Sequence, residues 1–190
     1  MKKIFLTLFF IILSTNLYAS NIKKVYFAGG CFWCMEESFD KVEGVIETIS
    51  GYSGGHVKNP KYKDVVKNTT GHYETLEITY DPSITNFEKL LEIFWVNIDP
   101  FDADGQFCDK GESYKSVVFY ENSDQKKIIE TSIKNIENKF NKKVVTYVKN
   151  FNEFYMAETY HQDYYEKNFI RYLMYKKGCQ RDETLSKIWG

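Results

Sequence analysis

The sequence predicts an α+β fold: a ferredoxin-like split β-α-β sandwich with a mixed sheet, an extra C-terminal helix and strand, and a tail. Three observations point there. The elements run strand, helix, strand, strand, helix, strand, the order of the split β-α-β motif. Hydrophobic spacing changes between period two and period three-to-four at Gly-, Asn- and Asp-rich breaks. The chain also holds no internal repeat, and its length suits one domain, so a single core must serve all elements.

Taken in order, KKVYFAGG (residues 23–30) is a β-branched and aromatic run ended by two glycines, a strand with an abrupt exit. In the next stretch Phe32, Met35, Phe39 and Val42 recur three and four apart, so a helix starts close to Cys31. GVIETISGY (44–52) is a second strand with imperfect alternation. The Gly-, Asn-, Pro- and Lys-rich residues 53–72 form a long connection, and such connections in compact domains are usually functional loops or disordered. YETLEITYDP (73–82) is a strand closed by Asp81-Pro82, with Glu77 read as an exposed strand glutamate. Phe87, Leu90, Leu91, Phe94 and Trp95 make one helical stripe, for which Thr85, with Glu88 three residues on, is the capping candidate. An aspartate-rich loop (99–114) leads to a strand at 115–120, a helix at 123–140 and a strand at 142–148. An aromatic stretch (157–175) follows, and 176–190 reads as a mobile tail.

The start of the chain sets the compartment. Met1-Lys2-Lys3 is basic, residues 4–13 are apolar, and STNLYAS ends in small residues, the layout of a signal peptide spanning 1–19 and cut after Ala19. The apolar run is about half of the ~20 residues a membrane-spanning helix needs, so no stable anchor is expected after removal. The mature domain, 20–190, is expected to be exported and periplasmic. A net charge of −1 gives no electrostatic reason to expect nucleic acid as a partner.

Four cysteines in an exported chain would ordinarily be two structural disulfides, but a domain this large does not need them all. GGCFWC (29–34) admits three uses: a redox pair, a metal clip, or a nucleophile with a neighbour. A single C-x-x-C without a second pair is a poor zinc site, with only Cys108, Cys179 and scattered His56, His72 and His161 to complete it. A thioredoxin-type exchange motif would follow a β-α-β unit rather than the first strand. At a strand-to-helix turn, Cys31 has its thiolate favoured by the helix dipole and free N–H groups, and the glycine pair allows close approach.

GCFWC (30–34), GYSGG with NPKY (51–62), GHYETLEITYDP (71–82) and AETYHQDYY (157–165), in this order, resemble the peptide methionine sulfoxide reductases of the A type over nearly the whole mature chain. The resemblance implies thiol-dependent reduction of methionine S-sulfoxide, free or in proteins, to methionine, serving repair of oxidised exported proteins. Cys31 would attack the sulfoxide sulfur and Glu74 would supply the proton, which requires a raised pKa. Tyr62 and Tyr114 would direct hydroxyls at the sulfoxide oxygen, with Asp109 close by, and Phe32 and Trp33 would form the apolar wall for the S-methyl group. His72 and His161 would hold loops. No metal, nucleotide or flavin cofactor is implied, because thiols supply the electrons. The resulting sulfenic acid would condense with a second thiol, and a thioredoxin-like donor would reduce the disulfide. The family often keeps the second cysteine in a glycine-rich tail, which favours Cys179. Cys34 replaces the more common Gly, and Cys108 the more common Asn, so Cys179 and Cys34 both stand as candidates, with Cys108 behind them.

Overall fold

The computed structural model describes residues 21–190; the expected signal peptide lies outside the described residues. The elements are β1 (Lys23–Ala28), α1 (Phe32–Phe39), β2 (Val45–Ser53), α2 (Tyr62–Val65), β3 (Tyr73–Tyr80), α3 (Phe87–Val96), β4 (Gly105–Gln106), β5 (Asp109–Lys110), β6 (Val117–Tyr120), α4 (Ser123–Phe140), β7 (Tyr147–Asn150), β8 (Phe154–Met156), α5 (Tyr164–Lys167), α6 (Phe169–Gly178) and α7 (Arg181–Trp189).

Six strands form one sheet in the order β7-β6-β1-β3-β2-β8. The inner four, β6-β1-β3-β2, are the antiparallel strands of the split β-α-β arrangement. The sheet is mixed because β7 returns through α4 to lie parallel to β6. α1, α3 and α4 pack on one face around Phe27, Met35, Phe39, Leu76, Ile78, Leu90, Phe94 and Ile129. The opposite face carries a smaller aromatic layer of Tyr26, Tyr73 and Phe119, against which Phe151 and Phe154 pack from the loop before β8 and from β8 itself. Phe151 stacks on Tyr26 with ring centroids 3.7 Å apart.

Several local expectations shift. Asn86, not Thr85, caps α3, its side chain accepting the Lys89 N–H at 2.8 Å. β3 is central and buried along its whole length. Glu77 on it is therefore buried as well, and it ion-pairs with Lys24 at 2.6 Å. A bulge at Val45/Glu47 accounts for the imperfect alternation of β2. The long 53–72 connection contains α2 and is pinned by His72, whose ring accepts the Gly55 N–H at 3.1 Å and meets the Val57 carbonyl at 2.7 Å. The last strand of the sequence reading lies a few residues later, at β7, and β8 is an added edge strand on β2. The expected mobile tail is instead helical: α7 buries Arg181, and Trp189 donates its indole N–H to the Ile98 carbonyl at 3.0 Å.

Candidate active site

The site forms where β1 ends. Gly30 takes φ +79, and a Cβ there would meet the Cβ of Gln106 at 2.5 Å, so only glycine lets the two chains pass. Gln106 in turn clamps the start of the 99–114 loop, its amide bonding both the N–H and the carbonyl of Asp99 at 2.8 Å. This turn delivers Cys31 to the N-cap of α1, where its carbonyl accepts the N–H groups of Cys34 and Met35.

Around Cys31 the chain gathers groups from distant positions. Glu74 on β3 is 2% exposed and accepts the Phe32 backbone N–H at 3.1 Å. Burial pushes its carboxyl well above the usual range, with the Phe32 hydrogen bond opposing and Asp109 adding to the rise. Tyr62 opens α2 and Tyr114 ends a short 3₁₀ turn; each phenol interacts with the other and with Glu74. Burial first, then Glu74, raises the Tyr62 phenol to about 12 and the Tyr114 phenol further, so both are neutral hydroxyl donors at neutral pH. Asp109, on β5, accepts a hydrogen bond from the Tyr175 hydroxyl, and burial raises its carboxyl.

Phe32 is fully buried with Tyr52, Val65 and Ala157, while Trp33 remains half-buried and stacks on Tyr164 at 3.8 Å. Trp33 donates its indole N–H to Nδ1 of His161 at 3.2 Å. His161 is 1% exposed, and burial lowers its pKa to about 4. It is therefore neutral, its ring 4.4 Å from that of Tyr62.

The cysteines divide into two pairs. Cys108 and Cys179 are joined in a disulfide, and Cys31 and Cys34 are free and buried. The two free thiols cluster with Tyr172 and interact with each other. The helix start alone favours a Cys31 thiolate, but desolvation, the neighbouring Cys34 and the acids Glu74 and Asp109 outweigh it and push the Cys31 thiol well up. Cys34 moves the other way, to about 7: the hydrogen bond from Cys31 leads, with Arg181, Tyr172 and Lys176 assisting against burial. The pair thus shares its first proton loss.

Cys31, Phe32, Trp33, Tyr62, Glu74, Asp109 and Tyr114 therefore converge, with Cys34 beside them. Cys179 is tied to Cys108 instead. Sequence reading did not single out Tyr172, Tyr175, Arg181 or Gln106. Tyr172 and Tyr175 are three apart on α6, a spacing that marks a shared face but does not say what it covers.

Residues 23–190 match the family model described as peptide methionine sulfoxide reductase. The chain is 47% identical over 166 residues to the peptide methionine sulfoxide reductase MsrA of Bacillus licheniformis, covering 86% of this chain and 92% of that one. It is also 47% identical over 165 residues to MsrA 2 of Staphylococcus aureus, covering 86% and 93%. Among solved structures, reduced Mxr1 of Saccharomyces cerevisiae matches with a TM-score of 0.72 at 29% identity, covering 77% of this chain and 86% of that one. Methionine sulfoxide reductase A of Corynebacterium diphtheriae matches with a TM-score of 0.71 at 28% identity, covering 77% and 75%. The chain belongs to the peptide methionine sulfoxide reductase family, A type.

Proposed function

We propose that this thiol-dependent reductase acts on the S epimer of methionine sulfoxide by attack of Cys31 on the sulfoxide sulfur, with Glu74 as the acid and Cys34 as the second thiol. The observation that carries the reading is the junction of Cys31 and Glu74 at one helix start, the acid bonded to the N–H of the residue after the thiol. A carboxyl kept neutral by burial is the form that can give a proton to an oxygen gaining charge. Tyr62 and Tyr114 add hydroxyl donors to the same oxygen, and the exposed edge of Trp33 receives the S-methyl group.

Atoms and electrons balance over two steps. As Cys31 attacks, its proton passes to the Cys34 thiolate and Glu74 protonates the oxygen. The substrate sulfur gains two electrons and leaves as methionine, and Cys31 becomes a sulfenic acid. Cys34 then attacks the Cys31 sulfur as its thiol proton passes to the departing hydroxide, which leaves as water, and a Cys31–Cys34 disulfide remains with Glu74 as carboxylate. Cys34 is favoured over Cys179 because Cys179 is already bonded to Cys108, whereas Cys34 is free and one helical turn away.

An export role follows from the basic and apolar start of the chain, with cleavage after Ala19 and action in the periplasm. The Cys108–Cys179 disulfide supports it, since structural disulfides persist mainly in oxidising compartments. There a thioredoxin-like protein would return the Cys31–Cys34 disulfide to thiols, and oxidised exported proteins would be the substrates. The test is to incubate the mature chain and dithiothreitol with separate S and R epimers of a blocked methionine sulfoxide. Conversion of the S epimer alone is expected; turnover retained in Cys31→Ser, or equal use of both epimers, contradicts the reading.

A further inference from the structure

Cys34 is enclosed by groups of both signs. From its own helix come Cys31 and Glu37, from β3 Glu74, from α6 Tyr172, Tyr175 and Lys176, and from α7 Arg181. The two cations differ. Lys176 is already neutralised, pairing with Glu37 at 2.9 Å and with Asp182 at 3.2 Å. Arg181 is 3% exposed, yet among the described residues no carboxylate lies within ion-pair distance of it. Its guanidinium donates to the Asn97 carbonyl, contacts Met35 Sδ at 3.5 Å, and lies over the Phe107 ring at 4.5 Å. Met35 is the residue next to Cys34 on α1.

A buried, unpaired guanidinium is costly unless it faces negative charge somewhere in the working cycle. Two candidates are in range: Cys34, and Asp109, whose carboxylate the same guanidinium also favours. Asp109 already holds the Tyr175 hydroxyl, and burial keeps its carboxyl raised. The thiolate's own donors are not held for it alone: the Cys31 thiol is consumed in the first step, and the Tyr172 hydroxyl is shared with Glu37 at 2.6 Å.

We propose that Arg181 is a positioning residue for the second thiol: α7 inserts this guanidinium behind α1 as the counter-charge of the Cys34 thiolate, keeping Cys34 ready to close the disulfide with Cys31. The proposal rests on the reading of Cys34 as the resolving thiol. It also gives the C-terminal helix a task. The disulfide at Cys179, two residues before Arg181, anchors the start of that helix to the loop that carries Asp109.

The test uses the mature chain with its Cys108–Cys179 disulfide intact. In a Cys31→Ser background Cys34 is then the one remaining thiol of the four cysteines, and thiolate absorbance near 240 nm reports it alone. Removing a nearby opposite charge moves a pKa by roughly one unit or more. Arg181→Met is expected to raise the Cys34 midpoint by that amount relative to Cys31→Ser alone, since Arg181 favours the thiolate. Arg181→Lys, which keeps the charge, is expected to restore most of it.

In the chain with Cys31 present, single-turnover disulfide formation in Arg181→Met should slow about fivefold at pH 7 and recover toward the wild-type rate near pH 9, as thiolate fractions converge. A role in packing alone would lower the rate at every pH. An unshifted midpoint, or a Lys variant displaced as far as Met, overturns the proposal; if Met does not fold, Arg181→Gln takes its place as the charge-removing variant. Peptide mapping after one turnover separates this from the underlying reading. If no Cys31–Cys34 disulfide forms, the assignment of Cys34 fails while the titration still reports its coupling to Arg181.

Discussion

The carboxyl of Glu74 accepts the backbone N–H of Phe32 at 3.1 Å, which fixes a buried acid at the same helix start that presents Cys31. Glutamine can keep this hydrogen bond through its amide oxygen but has no proton to give. Glu74→Gln is therefore expected to fold with a melting temperature near neutral pH at least as high as that of the wild type, and to lose about 10²–10⁴ in kcat/KM for the S-sulfoxide. The pH dependence follows from the raised pKa. Burial raises the folded pKa of Glu74, so its contribution to stability is complete below the unfolded value and lost as pH rises through the folded one. Activity should fall on the same alkaline limb, and a pH profile of Glu74→Gln should lack it; an identical alkaline limb in both proteins would rule Glu74 out as the acid.

Gly30 tests how far the site depends on the path of the chain. At φ +79 an alanine is strained by about 1–2 kcal/mol, and its Cβ would push on Gln106, which clamps the loop leading to Asp109 and Tyr114. Gly30→Ala is expected to lower the urea midpoint and to reduce kcat by a larger factor than the unfolded fraction accounts for. A variant that loses stability but keeps full kcat would show that the loop position is not critical.

Much of the fold and site was legible because its signals are local. The stripe Phe87 to Trp95, the exit at Gly29-Gly30 and the order of the first four strands depend on near neighbours, and motif likeness named Cys31, Glu74, Tyr62, Tyr114 and Asp109. What stayed hidden depends on partners far away in sequence. Glu77 looks like an exposed strand residue until β3 proves central and Lys24 reaches it. The final fifteen residues look like a polar tail because α7 is held by one arginine, one tryptophan and a preceding disulfide rather than by an apolar stripe. The activation of Cys31 by its helix start was a local inference too, and it gave way to burial and to acids contributed by other elements.

His161 provides a pH test of stability on the acid side. Its pKa is held down to about 4 by burial, so it is neutral when folded. Its contribution is present above the unfolded value near 6.5 and is lost as pH falls toward 4, up to roughly 3 kcal/mol for a fully buried ring. His161→Gln still offers an acceptor to the Trp33 indole but does not titrate. Melting temperatures measured from pH 7 to pH 4 should fall more steeply for the wild type than for His161→Gln. Parallel curves would show that His161 is not the group that sets acid sensitivity.

The Cys108–Cys179 bond closes a sequence separation of 71 residues, tying the loop of Asp109 to the turn between α6 and α7. Loop-closure entropy for that length corresponds to about 4 kcal/mol of stabilisation. The Cys108→Ser/Cys179→Ser variant is expected to lose most of this in denaturant unfolding. It should still form the Cys31–Cys34 disulfide after one turnover, since that pair lies within α1 and its N-cap. Turnover with dithiothreitol should persist wherever the variant is folded. If the variant instead releases one equivalent of methionine and accumulates a sulfenic acid, the electrons pass through Cys108 and Cys179, and that disulfide belongs to the catalytic cycle rather than to the scaffold.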